Sequence, residues 1–243
     1  MFEYQKIILN ILDEIIDSEK NNIKLAVKTI IRASESKRSI YAFGASHAGI
    51  LTQELFYRAG GMITINPIFS SDLLVTTTPI SKTSRVEQLE GFGNIIFDSY
   101  HINEGDVVII NSVSGRNPVI IDFARKCKEN SVKIIALTNL NYSKSVSSRH
   151  SSGKKLYDLA DVVIDIHGVQ GDAIIKVGER MVAPSSTITS VFVANTIISE
   201  VALELYKKGT RNIPFFYSAN LDSTVDKNKA LVDLYKDCIH YNF

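Results

Sequence analysis

The sequence predicts an α/β fold built on a parallel sheet, and three observations carry that reading. Five short runs, Ile40 to Phe43, Met62 to Ile65, Val107 to Ile110, Ile134 to Leu137 and Val162 to Ile164, are rich in apolar and β-favouring residues without strict alternation. Such strands are buried on both faces, as those of a parallel sheet are. Helix-periodic segments lie between most of them and supply the covering layers. Hydroxyl-rich loops follow several of the strand ends, where open α/β sheets bind ligands.

In chain order, apolar residues first recur at helical spacing from Tyr4 to about Ala33, as Ile8, Ile11, Leu12, Ile15 and Ile16, then Leu25, Ala26, Ile30 and Ile31. The polar stretch Asp17 to Asn22 interrupts them, which predicts two helices or one bent helix. The first strand ends in Gly44-Ala45-Ser46-His47-Ala48-Gly49 and opens a helix expected to run to about Ala59. The strand Val107 to Ile110 feeds the loop Asn111-Ser112-Val113-Ser114-Gly115-Arg116-Asn117-Pro118 into a helical segment, Ile120 to Cys127. Two long connections, Thr138 to Lys155 and Gly168 to Ser186, are expected to be mobile covers over a site. Helical patterns return from Thr187 to Lys207 and from Asp226 to His240.

Composition narrows the function classes. Apolar residues make up 45% of the 243 and charged residues 22%, an average globular balance. The net charge is +1 and Lys and Arg do not cluster on a recognisable face, so nucleic acid is disfavoured as the main ligand. Cys127 and Cys238 stand far apart without CxxC or Cys/His spacing, so no disulfide framework and no metal site is expected, and a reduced cytoplasm fits. The first residues lack the pattern of a secretory signal and no apolar run approaches 18 residues, so neither export nor a membrane span is expected.

Three segments could carry chemistry. The loop from Ser112 to Asn117 lies between a strand and a helix, where free backbone N–H groups and the positive end of the helix dipole hold anions, most often phosphate. An ordinary helix cap uses the same residue types. The segment at Gly44 is an incomplete dinucleotide fingerprint, because Ser46 stands where a second glycine belongs. It also nearly fits a nucleophile elbow, with Asp165 and His167 following in the order of an α/β-hydrolase triad, but no HGGG-type oxyanion loop accompanies it. On the helix expected after Ser46, His47 and Glu54 lie seven residues apart and share a face, with Arg58 one turn further. Glu54 and Arg58 at i, i+4 fit a solvated ion pair equally well. The third cluster, Ser185, Ser186 and Thr187, opens the helix that runs to Lys207. Three hydroxyl-bearing helix starts together point to a polyhydroxylated, phosphorylated ligand.

These motifs resemble the SIS, or sugar isomerase, family of phosphosugar-binding domains over most of Ser34 to Lys207. Its Ser-x-Ser-Gly loop before a helix is similar to Ser112-Val113-Ser114-Gly115. The resemblance implies that Ser112, Ser114, the Val113 N–H and Asn117 grip a phosphate. Gly44-Ala45-Ser46-His47 followed by Glu54-Leu55 and Arg58 resembles phosphoheptose isomerases, which implies substrate contacts at Gly44 and Ser46 and a catalytic glutamate at Glu54. Glu54 stands two residues nearer the serine than in those enzymes, a rotation of about 200° on a helix. The stretch from Val177-Gly178-Glu179 to Thr189 resembles N-acetylmuramic acid 6-phosphate etherases, a lyase branch of the family, and extends the ligand site to Ser185, Ser186 and Thr187. Other members sense phosphosugars without catalysis, and the chain is also similar to stand-alone SIS-domain proteins; no appended helix-turn-helix segment is visible.

The resemblance therefore implies a three-layer α/β sandwich with a five-stranded parallel sheet in flavodoxin-like order, N-terminal helices in 1–34, a core in 35–207 and a C-terminal extension with a helix in 208–243, all one domain. It implies a homodimer or homotetramer. The leading expectation is aldose–ketose isomerisation of a phosphorylated sugar or amino sugar through an enediol, without metal or other cofactor. Glu54 is the expected base, and His47 or His150 the acid that shuttles the proton between oxygens, with Lys154 or Lys155 steadying the phosphate or enediolate. β-Elimination by an etherase-type lyase, with Glu54 or Glu179 as base, and non-catalytic sensing are the alternatives.

Overall fold

The computed structural model describes residues 1–218 and 224–241. The first helix, α1 (Glu3–Glu35), is a single helix of 33 residues. The polar interruption does not break it, because Glu19 is buried and accepts a hydrogen bond from Asn22 Nδ2 at 2.8 Å within the helix. Five strands follow: β1 (Ile40–Gly44), β2 (Ile65–Pro67), β3 (Val107–Asn111), β4 (Lys133–Thr138) and β5 (Val162–Asp165). They form one sheet in the order β2-β1-β3-β4-β5, parallel throughout, which is the predicted doubly wound arrangement. β2 begins three residues later than its apolar run, and Met62 instead bridges to Phe215.

Successive strand residues point to opposite sheet faces, and each face has its own core. Ile40, Ala42, Val107, Ile109, Ile135 and Leu137 pack with α1, α2 (Ile50–Leu55) and α8 (Ser186–Lys207). Tyr41, Phe43, Val108, Ile110, Ile134 and Ala136 pack with α4 (Phe92–Asp98), α5 (Pro118–Glu129) and α7 (Leu156–Leu159). Two short helices, α3 (Ser81–Val86) and α6 (Leu140–Ser145), lie in the connections, and α9 (Val225–Tyr235) forms the C-terminal helix. By length and composition α8 could cross a membrane. Its apolar side, with Val193, Ile197, Val201 and Leu205 buried, packs in the sheet–helix core, and a core helix meets the same criterion.

Both long connections are more ordered than their composition predicts. The segment 168–186 is not a loop but contains an antiparallel hairpin, β6 (Ala173–Val177) and β7 (Arg180–Pro184), leading into α8. The segment 138–155 is pinned: Glu90 accepts from the N–H and hydroxyl of Ser151, and the Lys155 ammonium donates to the carbonyls of Ser143 and Val146. Lys155 is thereby spent on backbone and does not face a ligand. Both cysteines are buried and free.

Candidate functional site

A cleft of about 270 Å3 opens at the carboxyl ends of β1 and β3. Its walls come from the turn after β1 (Ala45 to Ala48), the loop after β3 (Ser112 to Ser114 and Asn117), Glu87, Tyr142 and the Gly171-Asp172 pair before β6. In an open α/β sheet this is where ligands bind, and the volume suits a small one.

The β3–α5 loop is built to present N–H groups. Its carbonyls are tied to the protein body: Val113 O accepts from Asn139 N at 2.9 Å, Gly115 O from Leu156 N at 2.8 Å and Arg116 O from Arg149 N at 3.0 Å. Among the described residues, the five consecutive N–H groups from Val113 to Asn117 have no partner. Gly115 makes the turn at φ 58°, and a Cβ there would lie 3.2 Å from Leu156 Cβ and 3.3 Å from Ser143 Oγ. Pro118 takes the first helical position, where no N–H is needed. A row of free N–H groups at a helix N-terminus is an anion cradle. Ser112 and Ser114 line the cleft with it. Asn117 does not cap α5; its amide donates to Glu87 and accepts from Arg149 Nη1 at 2.9 Å, so it fixes the cleft wall rather than lying free for phosphate.

Gly44 ends β1 beside Asn111 of β3 but lies outside the lining. A Cβ on it would sit 2.6 Å from Ala48 O, so glycine is required for the following turn to fold back against the strand. The buried Asn111 secures that turn, donating to Ala48 O at 3.0 Å and accepting from Ser190 Oγ of α8 at 3.2 Å. Ser46 and His47 line the cleft, Ser46 with a positive φ of 54°.

The expected stripe of His47, Glu54 and Arg58 does not form on one helix. Residues 46–49 make a 3-10 turn, which winds faster than an α-helix, and α2 stops at Leu55 instead of Ala59. Glu54 pairs with Arg58 and lies 3.4 Å from Asn195 Nδ2 of α8, outside the cleft lining. His150 also lies outside it, buried, with Ser152 N donating to Nδ1 at 3.0 Å and Nε2 3.0 Å from an Asp122 oxygen. A neutral ring whose Nδ1 accepts from a backbone N–H has its N–H at Nε2, which donates a hydrogen bond to Asp122. The His150 ring is thus bonded within the protein, to Ser152 and Asp122, and not in the cleft. The hydrolase arrangement is also absent: Asp165 accepts from Leu140 N and His167 N, and His167 faces Ser18 and Glu14 of α1.

Glu87 is the residue that sequence reading missed. No motif marks it, but its side chain lines the cleft, is held by the Asn117 amide, and lies near His47. Burial pushes its carboxyl above the ordinary glutamate value, against smaller lowering effects from Asn117, Arg149 and His47.

The third hydroxyl cluster has its own internal anion. Asp172 accepts from Ser185 N at 3.0 Å, Ser186 N at 2.7 Å and Ser186 Oγ at 2.7 Å, capping α8 from across the hairpin. Ser185 and Ser186 thus reach the cleft only through Asp172, and Thr187 is not in its lining. Asp172→Ala should lower unfolding stability by about 1.5–3 kcal/mol, the usual worth of hydrogen bonds to a charged group. An unchanged urea midpoint would contradict this account of the cap. Among the described residues, no three His, Cys, Asp or Glu side chains gather as a metal site would require.

The sequence model of the SIS domain matches residues 3–139, more than half of the chain. This chain belongs to the SIS domain family. It is 45% identical over 243 residues to a UPF0309 protein of Oceanobacillus iheyensis, covering 99% of this chain and 98% of that one. A UPF0309 protein of Shouchella clausii is 44% identical over 241 residues, with 98% of each chain covered. Among solved structures, the fold is similar to phosphoheptose isomerase from Neisseria gonorrhoeae, with a TM-score of 0.55 at 14% identity, covering 82% of this chain and 94% of that one. It is also similar to the sugar isomerase domain of an RpiR transcription factor from Sphaerobacter thermophilus, with a TM-score of 0.51 at 15% identity, covering 85% and 91%. The SIS fold and its cleft support phosphosugar binding.

Proposed function

We propose that this SIS-domain protein is an aldose–ketose isomerase of a phosphorylated sugar or amino sugar, working in the cytoplasm as a homo-oligomer. The observation that carries the reading is the row of unpartnered N–H groups from Val113 to Asn117, of which Val113, Ser114 and Asn117 line one cleft with a carboxyl, Glu87, and an imidazole, His47. The cradle holds the phosphate, with the Ser112 and Ser114 hydroxyls beside it. Anchoring the phosphate sets the carbon next to the carbonyl against the base. Glu87 removes the proton from that carbon, giving an enediol, and returns it to the neighbouring carbon. His47 passes a proton between the two oxygens, so the substrate gains and loses no atoms. Glu87 takes the role that the family resemblance gives to Glu54, which faces Arg58 and Asn195.

Proton NMR in D2O with hexose, heptose, hexosamine and N-acetylated sugar phosphates tests this. Deuterium entering next to the carbonyl, with interconversion of aldose and ketose, is the expected result. Loss of an ether substituent would replace isomerisation by the lyase reaction. Ligand broadening without any exchange would replace catalysis by sensing.

A further inference from the structure

We propose that Arg149 is a positioning residue for the proton-abstracting Glu87, acting on its carboxyl through the side-chain amide of Asn117. The inference rests on the isomerase reading, in which Glu87 is the base. Arg149 Nη1 donates to Asn117 Oδ1 at 2.9 Å, and Asn117 Nδ2 donates to Glu87 Oε2. A guanidinium only donates and an ionised carboxylate only accepts, so a single orientation of the amide satisfies both neighbours. Asn117 stands at the N-cap of α5 but makes no capping bond with its side chain, and the amide serves this chain of groups instead. Among the described residues Glu87 Oε1 has no hydrogen-bond partner, so one carboxyl oxygen is held while the other is left for a substrate proton.

An exposed arginine is ordinarily mobile, but this one is carried by a fixed stretch of backbone. Arg149 N donates to Arg116 O at 3.0 Å, the next residue, His150, is bound to Asp122 of α5, and Ser151 is held by Glu90. Among the described residues Arg149 takes part in no ion pair, and Asn117 is the acceptor its guanidinium meets. It lies outside the cleft lining, so it acts on Glu87 and not on the substrate. An arginine paired directly with Glu87 would occupy both carboxyl oxygens in the bidentate geometry that the two groups favour. It would also hold the carboxylate so firmly ionised that proton abstraction lost driving force. The intervening amide keeps the positive charge at a distance, fixes one oxygen and leaves the other free. Burial raises the Glu87 pKa, and Asn117, Arg149 and His47 each oppose that rise. Of these His47 stands in the cleft with Glu87, and Arg149 acts from outside it.

The test compares wild type with R149M, which removes the donor and the charge, and R149K, which keeps a charged donor on a different stem. The Glu87 carboxyl is titrated by carbon NMR of protein with isotope-labelled glutamate, its resonance assigned by its loss in E87Q, and carbon–deuterium exchange of sugar phosphates is followed across the same pH range. In R149M the Glu87 titration and the acidic limb of exchange should both move to higher pH, because a cation that favours the ionised form is gone. The maximal exchange rate should fall about 3–10-fold, as for a residue coupled to the site through one intervening group, and R149K should recover most of the loss. Binding of inorganic phosphate, measured by calorimetry, should be unchanged. A Glu87 titration that does not move, or a loss of exchange carried by weaker phosphate binding with the pH limb in place, would overturn the proposal. Should R149M fail to fold, R149Q removes the charge alone and must move the titration in the same direction. Wild type that exchanges no sugar phosphate would overturn the isomerase reading, and the positioning of its base with it, whereas an R149M protein that exchanges as wild type does would overturn the positioning role alone.

Discussion

Glu87→Gln is expected to reduce carbon–deuterium exchange by about 10²–10⁴-fold, the usual contribution of a positioned acid–base group, while sugar-phosphate binding persists. The amide keeps the shape of the side chain and its contact with Asn117 but cannot take a proton. Glu54→Gln should leave exchange nearly intact, because its carboxylate is engaged by Arg58 and Asn195 outside the cleft. The reverse result, with Glu54 essential and Glu87 dispensable, would return the base to Glu54. The pH profile gives an independent reading. Burial, the largest cause, raises the Glu87 pKa, so the folded protein holds this proton more tightly than the unfolded chain. Activity should fall on acidification at a pH above the ordinary glutamate range, since the protonated acid cannot act as base. Stability runs the other way: the Glu87 contribution is present at low pH and is lost as pH rises through the raised value. Both dependences should disappear in the glutamine variant.

Asp122→Ala should cost about 2–5 kcal/mol of stability. Asp122 is buried on α5, where Oδ2 accepts from Gly91 N at 2.6 Å and Oδ1 from His150 Nε2 at 3.0 Å. Removing the carboxylate leaves a buried donor, His150, and a half-buried one, Gly91 N, without an acceptor, which is costlier than losing an exposed bond. For a chain of this length that is a fall in Tm of roughly 5–15 °C, measurable by calorimetry. Asp122→Asn retains one acceptor oxygen and should recover part of the loss. His150→Gln should lower stability without abolishing exchange, and complete loss of exchange in a folded His150→Gln protein would show that the imidazole acts in the chemistry.

The sheet was legible because its strands are continuous apolar runs, a pattern that parallel strands covered on both faces require. The cradle was legible for the same local reason: a strand, a hydroxyl-rich turn with glycine, and a helix opened by proline occupy one short stretch, Asn111 to Pro118. Glu87 was not legible, because it belongs to no motif and reaches the cleft only when the β2–β3 connection folds back against Asn117. The expected stripe of His47 and Glu54 differs from the structure for a related reason. That spacing assumes a uniform α-helix, and the chain instead makes a 3-10 turn at 46–49 and ends α2 at Leu55. His150 and Ser185 carried the right chemistry, but Asp122 on α5 and Asp172 across the hairpin engage their polar atoms.

By itself the sequence determined the fold class, the five strands and the strand–turn–helix form of the loop from Asn111 to Pro118, since these rest on hydrophobic periodicity and on the backbone demands of adjacent residues. Only the tertiary structure decided which side chains share the cleft. That choice depends on where helices stop and which distant partners satisfy each buried polar group, and neither is encoded within one local stretch.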